Sequence, residues 1–184
     1  MMLLMTFGKC DGKGNELKMA ITSPLLIYLD TNVYSRPFDD QTNAKIRAEA
    51  NAFLKILAEV KAGRLNLLSS DILKFEVDEI IDEKNRFKII SYLEWCDGHV
   101  NSSEKILKLG KVIQQDCHLR ARDALHIASA ILGKARYFLS CDSRVTQKKQ
   151  SNCYRRHAKN YQRGYFSAMN PTLFLEKLNK GKFL

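Results

Sequence analysis

No apolar run in this chain approaches the roughly 18 residues that a membrane span requires, so a transmembrane role is excluded. No C-x-x-C pair occurs among Cys10, Cys96, Cys117, Cys141 and Cys153, and the count is odd. The expectation is neither a disulfide framework nor a zinc site, and a reducing, cytoplasmic setting. No Gly-rich phosphate loop appears, and no Ser-His-Asp or Cys-His arrangement is evident. The apolar start stops at Phe7 with no positive cluster ahead of it, which makes a poor secretory signal. Internal repeats and low-complexity segments are also missing.

What is present is globular composition. The 184 residues are 45% hydrophobic and 27% charged, which fits one domain of ordinary size and excludes wholesale disorder. Gly8, Gly12, Gly14 and Asn15 suggest a loosely ordered tail over 1–23, followed by a single domain over 24–184. Met19 opens the more globular stretch and is an alternative initiator to Met1.

The net charge of +10 is unevenly spread. Residues 1–142 hold 20 basic and 19 acidic side chains, whereas residues 143–184 hold ten basic ones and a single acid, Glu176. The stretch from Arg144 to Arg163 includes Lys148, Lys149, Arg155 and Arg156, with Tyr154 and Tyr161 interleaved. Cations that track phosphates and rings that stack on bases suit a single-stranded nucleic acid. A solvated basic loop is the competing reading.

Leu25 to Leu29 is a short continuous apolar run, the pattern of a buried parallel strand. Thr42 can cap a helix with apolar positions Ile46, Ala50, Phe53, Leu57 and Val60, closed by Gly63. Leu65 to Leu68 reads as a second strand, and Ser69-Ser70-Asp71 offers cap chemistry for a helix to about Ile81. Helical patterns follow over 85–96, 103–115 and 120–132, the last closed by Gly133. Tyr137 to Leu139 is a third strand, Tyr165 to Ala168 an edge strand, and Pro171 opens a final helix. Alternating short strands and helices predict an α/β fold with a parallel sheet, whose ligands bind beyond the carboxyl ends of the strands.

Two carboxylates stand at such ends: Asp30 after the first strand and Asp142 after the third. A turn or helix cap is the bland role for either. Glu76 has helical neighbours Ile72, Leu73 and Ile80, which places it on a core-facing side, unlike Asp82 beside Asp78, Asn85 and Arg86. Asp123 shares a stripe with Ile127 and Ile131, while Arg120 and Arg122 can splay outward; a salt bridge to a nearby Arg is its bland role. Inward carboxylates repel one another unless paired or bound to a cation, and all-oxygen ligation selects Mg²⁺ or Mn²⁺.

With those residues quoted, the chain resembles the PIN-domain proteins, the ribonuclease fold that includes the VapC-like toxins of toxin–antitoxin pairs. IYLDTNVYSRPF, SSDILKFE, RDALHIASAILGKARYFLSCD and NPTLFLEKL match family segments in order and spacing. The resemblance implies a PIN-like three-layer α/β/α sandwich with a central, mostly parallel sheet. It also implies a Mg²⁺- or Mn²⁺-dependent endoribonuclease, frequent homodimers, and a small antitoxin for the toxin branch. Asp30, Glu76, Asp123 and Asp142 carry over as metal ligands or orienters of the attacking water, with Asn32 and Ser140 as supporting polar positions. His126 also matches, and on a largely apolar helix it reads as a structural hydrogen-bonder. The chain departs from members that carry another acid soon after the last one, because Ser143 and Arg144 follow Asp142.

Two other functions compete. One is a non-catalytic RNA-binding module on the same fold. The other is a phosphatase of the haloacid dehalogenase type, which needs a second Asp two residues after the first as general acid. Asn32 occupies that position and cannot deliver a proton. Cys141 beside Asp142 reads as small-residue packing.

Overall fold

The computed structural model describes residues 24–162 and 164–182, so the expectations for the 1–23 tail and for the start codon lie outside the described residues. The chain runs β1 (Leu25–Leu29), α1 (Thr31–Ser35), a 3₁₀ turn (Arg36–Phe38), α2 (Ala44–Lys61), β2 (Leu65–Ser70), α3 (Asp71–Asp78), α4 (Glu83–Leu93) and β3 (Gly98–Val100). It continues through α5 (Glu104–Cys117), α6 (Ala121–Leu132), β4 (Tyr137–Leu139), α7 (Ser143–Thr146), α8 (Lys148–Ala158), β5 (Ser167–Met169) and α9 (Pro171–Asn179).

The strand order is β3-β2-β1-β4-β5, and every pairing is parallel. The topology reverses direction between β1 and β4. Right-handed crossovers therefore put the connections on opposite faces of the sheet. Ring contacts agree: Tyr137 meets Phe174 of α9 on one face, while Tyr28 and Phe138 stack on the other, where Tyr28 also meets His126 of α6. The result is a three-layer α/β/α sandwich whose described sheet is wholly parallel, the architecture expected. Its core is apolar from both sides, with Ile27, Tyr28, Leu29, Phe53, Ile56, Ile127, Ile131 and Phe138 all at 0–1% exposure.

Local chemistry explains where the elements start and stop. Asn43, not Thr42, caps α2, accepting from the Lys45 amide at 2.9 Å, because Thr42 is engaged by Asp40. Gly63 follows α2 at φ +72°, a conformation that favours glycine. The expected helix to Ile81 ends at Asp78, because Asp82 caps the next one through the Asn85 amide at 2.9 Å and the chain must break between them. The strand Gly98–Val100 was not foreseen: a three-residue edge strand has no apolar run to announce it. The edge strand β5 lies two residues later than expected, and Tyr165 stays outside it, packed against Tyr137. The basic stretch is helical over most of its length, as α7 and α8, and is not a solvated loop.

One expectation is overturned. Cys117 at the end of α5 and Cys153 on α8 form a disulfide, with Cα atoms 5.9 Å apart. Their distance of 36 residues in sequence, with no local spacing motif, left no signal; packing of α8 against α5 brings them together. Cys96 and Cys141 are free among the described residues. Burial, with the Glu49 charge second, pushes the Cys141 thiol up to about 12, which fits inert packing. A cross-link closing this loop length stabilises by about 3–4 kcal/mol in the chain-entropy account. Reduction in the presence of EDTA is expected to lower the urea-unfolding free energy by about that amount, and an unchanged midpoint would contradict the clamp.

Candidate active site

The site is assembled at the carboxyl ends of β1 and β4, which are neighbours in the sheet. The Asp30 amide donates to Leu139 O at 2.9 Å, so the exits of the two strands are tied. Asp30 is 7% exposed. Asn32, the second residue of α1, brackets the region: its Nδ2 donates to Asp30 Oδ2 at 2.6 Å and to Ser140 Oγ at 3.0 Å. Its Oδ1 accepts from the Cys141 amide at 2.9 Å, and Ser140 Oγ accepts from the Asp142 amide at 3.1 Å. Asn32 and Ser140 thus tie Asp30 to the exit of β4 by hydrogen bonds.

Glu76 sits on α3, whose first turn is capped by Ser70 and anchored by buried Leu73 and Val77. It accepts from the Thr31 hydroxyl, lies 3.5 Å from Arg122 Nε, and is 2.9 Å from His126 Nε2. The last contact is off the line of a hydrogen bond and sets the imidazole against the carboxylate. His126, at 2% exposure, turns its Nδ1 to Tyr28 Oη at 2.8 Å, and Tyr28 Oη meets Ser70 Oγ at 2.6 Å. A polar chain therefore runs through the apolar layer from α3 to α6. Arg122 does not splay outward: it bridges Glu76 to Glu79, with Nη1 3.0 Å from Glu79 Oε2. Thr31, Arg122, Tyr28 and Ser70 were missed because nothing in their local sequence distinguishes them from cap, surface and core residues.

Asp123 lies in the first turn of α6, below which Ala124, Ile127 and Ile131 are fully buried. It shares a cleft of about 390 Å³ with Asp30 and Glu76, also lined by Asn32, Ser35 and Asp39. Asp142 is not among the lining residues. It caps α7 through the Arg144 amide at 2.8 Å, and Arg144 Nη2 lies 2.5 Å from Asp142 Oδ2. The bland role of a helix cap therefore applies to Asp142, although its charge still reaches Asp123.

The electrostatics divide the acids. Burial, reinforced by the Glu76 charge, raises the Asp30 carboxyl against the pull of His126, Ser140 and Asn32. Burial and the charges of Asp30 and Asp142 raise Asp123. Burial would also raise Glu76, but His126, Thr31 and Arg122 outweigh it and hold the carboxyl below its ordinary value. Arg144 holds Asp142 low. Burial opposes the charge of His126, yet Glu76, Asp30 and Asp123 together raise it.

These donors suit a hard divalent cation. Asp30 and Asp123 are pushed up by burial and like charge, the condition that a cation relieves. Ligand atoms of Asp30, Glu76 and His126 also lie within 4.8 Å of one another. Carboxylate oxygens dominate the set, which favours Mg²⁺ or Mn²⁺ over softer metals.

A second recess of about 290 Å³ adjoins the first through Asp123 and is lined by Arg120, Arg144, Gln147, Lys149 and Gln150. Of the five expected basic contacts, Arg144 and Lys149 reach it, and Lys148 is exposed at the start of α8. Arg155 and Arg156 are not brought there. Arg155 stacks over Tyr165 at 4.3 Å and donates to its hydroxyl at 2.8 Å, while Arg156 Nη2 lies 3.6 Å from Cys153 Sγ. Arg120 was missed as a lining residue, since its sequence neighbours suggested only outward splay.

No family model matches the chain, and no curated protein matches it significantly. Among solved structures it is similar to a chain of VapBC2 from Rickettsia felis bound to a DNA fragment from their promoter, at 13% identity over 78% of this chain and 98% of that one, with a TM-score of 0.46. It is also similar to a chain of FitAB bound to the IR36 DNA fragment, at 19% identity over 79% and 95%, with a TM-score of 0.49. Among the described residues no helix is long and apolar enough to cross a membrane.

The Glu76–His126 pair sets a pH window. The raised His126 contributes fully below its unfolded value and is lost as pH rises through its folded one. The lowered Glu76 contributes above its unfolded value and is lost as pH falls through its folded one. The unfolding free energy lost in Glu76→Gln is therefore expected to peak between about pH 4.5 and 6.5. A pH-independent difference across urea titrations from pH 3 to 9 would contradict the pairing.

Proposed function

We propose that this protein is a Mg²⁺- or Mn²⁺-dependent endoribonuclease that hydrolyses phosphodiesters in single-stranded RNA or RNA loops. One observation carries the reading: Asp30, Glu76 and Asp123, from three separate elements, line one cleft beside a basic recess. When bound there, the cation supplies charge on a phosphoryl oxygen and a water of lowered pKa. Asp30 and Asp123 would hold it. Glu76, already countered by Thr31, His126 and Arg122, orients a water by accepting its proton-bearing side. Asn32 keeps the Asp30 carboxylate aimed into the cleft, and Ser140 locks Asn32. Asp142 acts one step back, through its field on Asp123 and its hold on Arg144. Arg120, Arg144 and Lys149 receive the phosphates that flank the scissile one.

The sequence resemblance extends the proposal to a homodimer and to a small antitoxin partner that blocks the cleft. The competing binding module shares the basic recess but has no use for three converging carboxylates.

Asp30→Asn and Asp123→Asn are each expected to lower cleavage of a single-stranded RNA in Mn²⁺ by about 100-fold or more while circular dichroism is unchanged. EDTA should abolish cleavage of the wild type. Discrete fragments formed at the wild-type rate in either condition would refute the assignment. Binding gives a separate readout: Lys149→Ala should lower the slope of log affinity against log salt by about 0.7, the share of one phosphate on a single strand. Arg155→Ala should leave that slope unchanged, because its guanidinium is committed to Tyr165.

A further inference from the structure

Away from the acidic cleft, four metal-ligating side chains meet where α5 and α8 cross. Cys117 and Cys153 are 3% and 6% exposed. His157 follows Cys153 by four residues, on the same face of α8, and ligand atoms of Cys117, Cys153 and His157 lie within 4.8 Å of one another. Asp116 precedes Cys117, and its Oδ2 lies 3.2 Å from His157 Nε2, a buried nitrogen off the line of a hydrogen bond to it. Arg156 Nη2 stands 3.6 Å from Cys153 Sγ.

We infer that, when the Cys117–Cys153 bond is reduced, Cys117, Cys153 and His157 form a zinc site, with Asp116 or water in the fourth position. The chemistry balances. A dithiol reductant gives two electrons and two protons to the disulfide and is itself oxidised to a disulfide, leaving two thiols. Zn²⁺ then displaces both protons, which pass to solvent, and the two thiolates neutralise the ion. With water in the fourth position the unit is neutral and an apolar seam can bury it without a large desolvation cost; with Asp116 there, the single remaining negative charge lies on the solvent-facing side.

Geometry permits the exchange with little backbone movement. Zn–S bonds of about 2.3 Å in a tetrahedron put the sulfurs about 3.8 Å apart, so the released thiols need only part by a rotation of their side chains. Two thiolates and an imidazole select Zn²⁺ over Mg²⁺ or Mn²⁺, so this site and the carboxylate cleft do not compete for one ion. The Arg156 guanidinium donates toward the Cys153 sulfur. Asp116, 54% exposed, marks the side open to solvent and hence the entry path. The consequence is a clamp with two forms. Disulfide or zinc, α8 stays fastened to α5, and with it Lys149 on the wall of the basic recess.

Cobalt substitution tests this on the full chain. The reduced protein, freed of metal by chelation and kept anaerobic, is titrated with Co²⁺. One equivalent is expected to produce a thiolate-to-cobalt charge-transfer band with the visible pattern of tetrahedral cobalt, and Zn²⁺ should erase it. The band should be absent in the oxidised protein and lost in His157→Ala and in Cys153→Ser. It should persist in Asp123→Asn, which is not one of the four side chains at this crossing. Should the variants fail to fold, mass spectrometry of the wild type decides. Zn²⁺ is expected to slow alkylation of Cys117 and Cys153 by about 10-fold or more, and to leave Cys96 unaffected. No band in the reduced wild type, a band undiminished in Cys153→Ser, or equal alkylation with and without Zn²⁺ would overturn the site.

Discussion

A carboxylate buried at the mouth of a parallel sheet governs the architecture around it. Asp30 is held at 7% exposure at the end of β1, where the apolar layers on both faces strip most of the water from its charge. Such a group needs a donor, and the chain supplies one. Asn32, from the helix that follows, donates to it, and Ser140 at the neighbouring strand's exit accepts from the same Asn32 amide. The bonds that hold Asp30 therefore also fix the spacing of β1 and β4 where the strands end.

The same constraint is met differently at Glu76. Its charge is countered by a side chain from the opposite helix, His126, whose second nitrogen is held by Tyr28 within the core. Tyr28 is fully buried yet bonded at its hydroxyl, so the apolar layer accommodates a polar chain without leaving that hydroxyl unpaired. The chain links the cap of α3 to α6, so the two helices that present Glu76 and Asp123 share one support. Asp30 and Asp123, by contrast, are raised by their surroundings and not fully countered by them. That imbalance separates this cleft from an acidic patch neutralised by its own protein.

On the far side of α6 the problem is mechanical. The basic residues of α7 and α8 gain value only if α8 is held in place, and a surface helix rich in cations has little apolar area with which to hold itself. Buried Tyr154, Cys153 and Ala158 provide one anchor, and the covalent link to α5 provides another. Its Arg155 stacks on Tyr165 and so stiffens the helix and does not line the basic recess.

From the sequence alone came the parallel α/β class, the principal strands, most helices, and the inward placing of Asp30, Glu76 and Asp123. Short apolar runs and one-sided helical stripes follow from neighbouring residues, and inward carboxylates betray themselves by the company they keep. Only the folded chain decided how those acids differ. Asp142 is taken up by Arg144 as a cap, Glu76 is countered by His126, and Asp30 and Asp123 remain exposed to each other's charge. It also decided that Arg155 faces Tyr165 and that Cys117 meets Cys153. Each of these depends on which helices cross and at what register, and pairings between residues tens of positions apart leave no periodic trace in the chain.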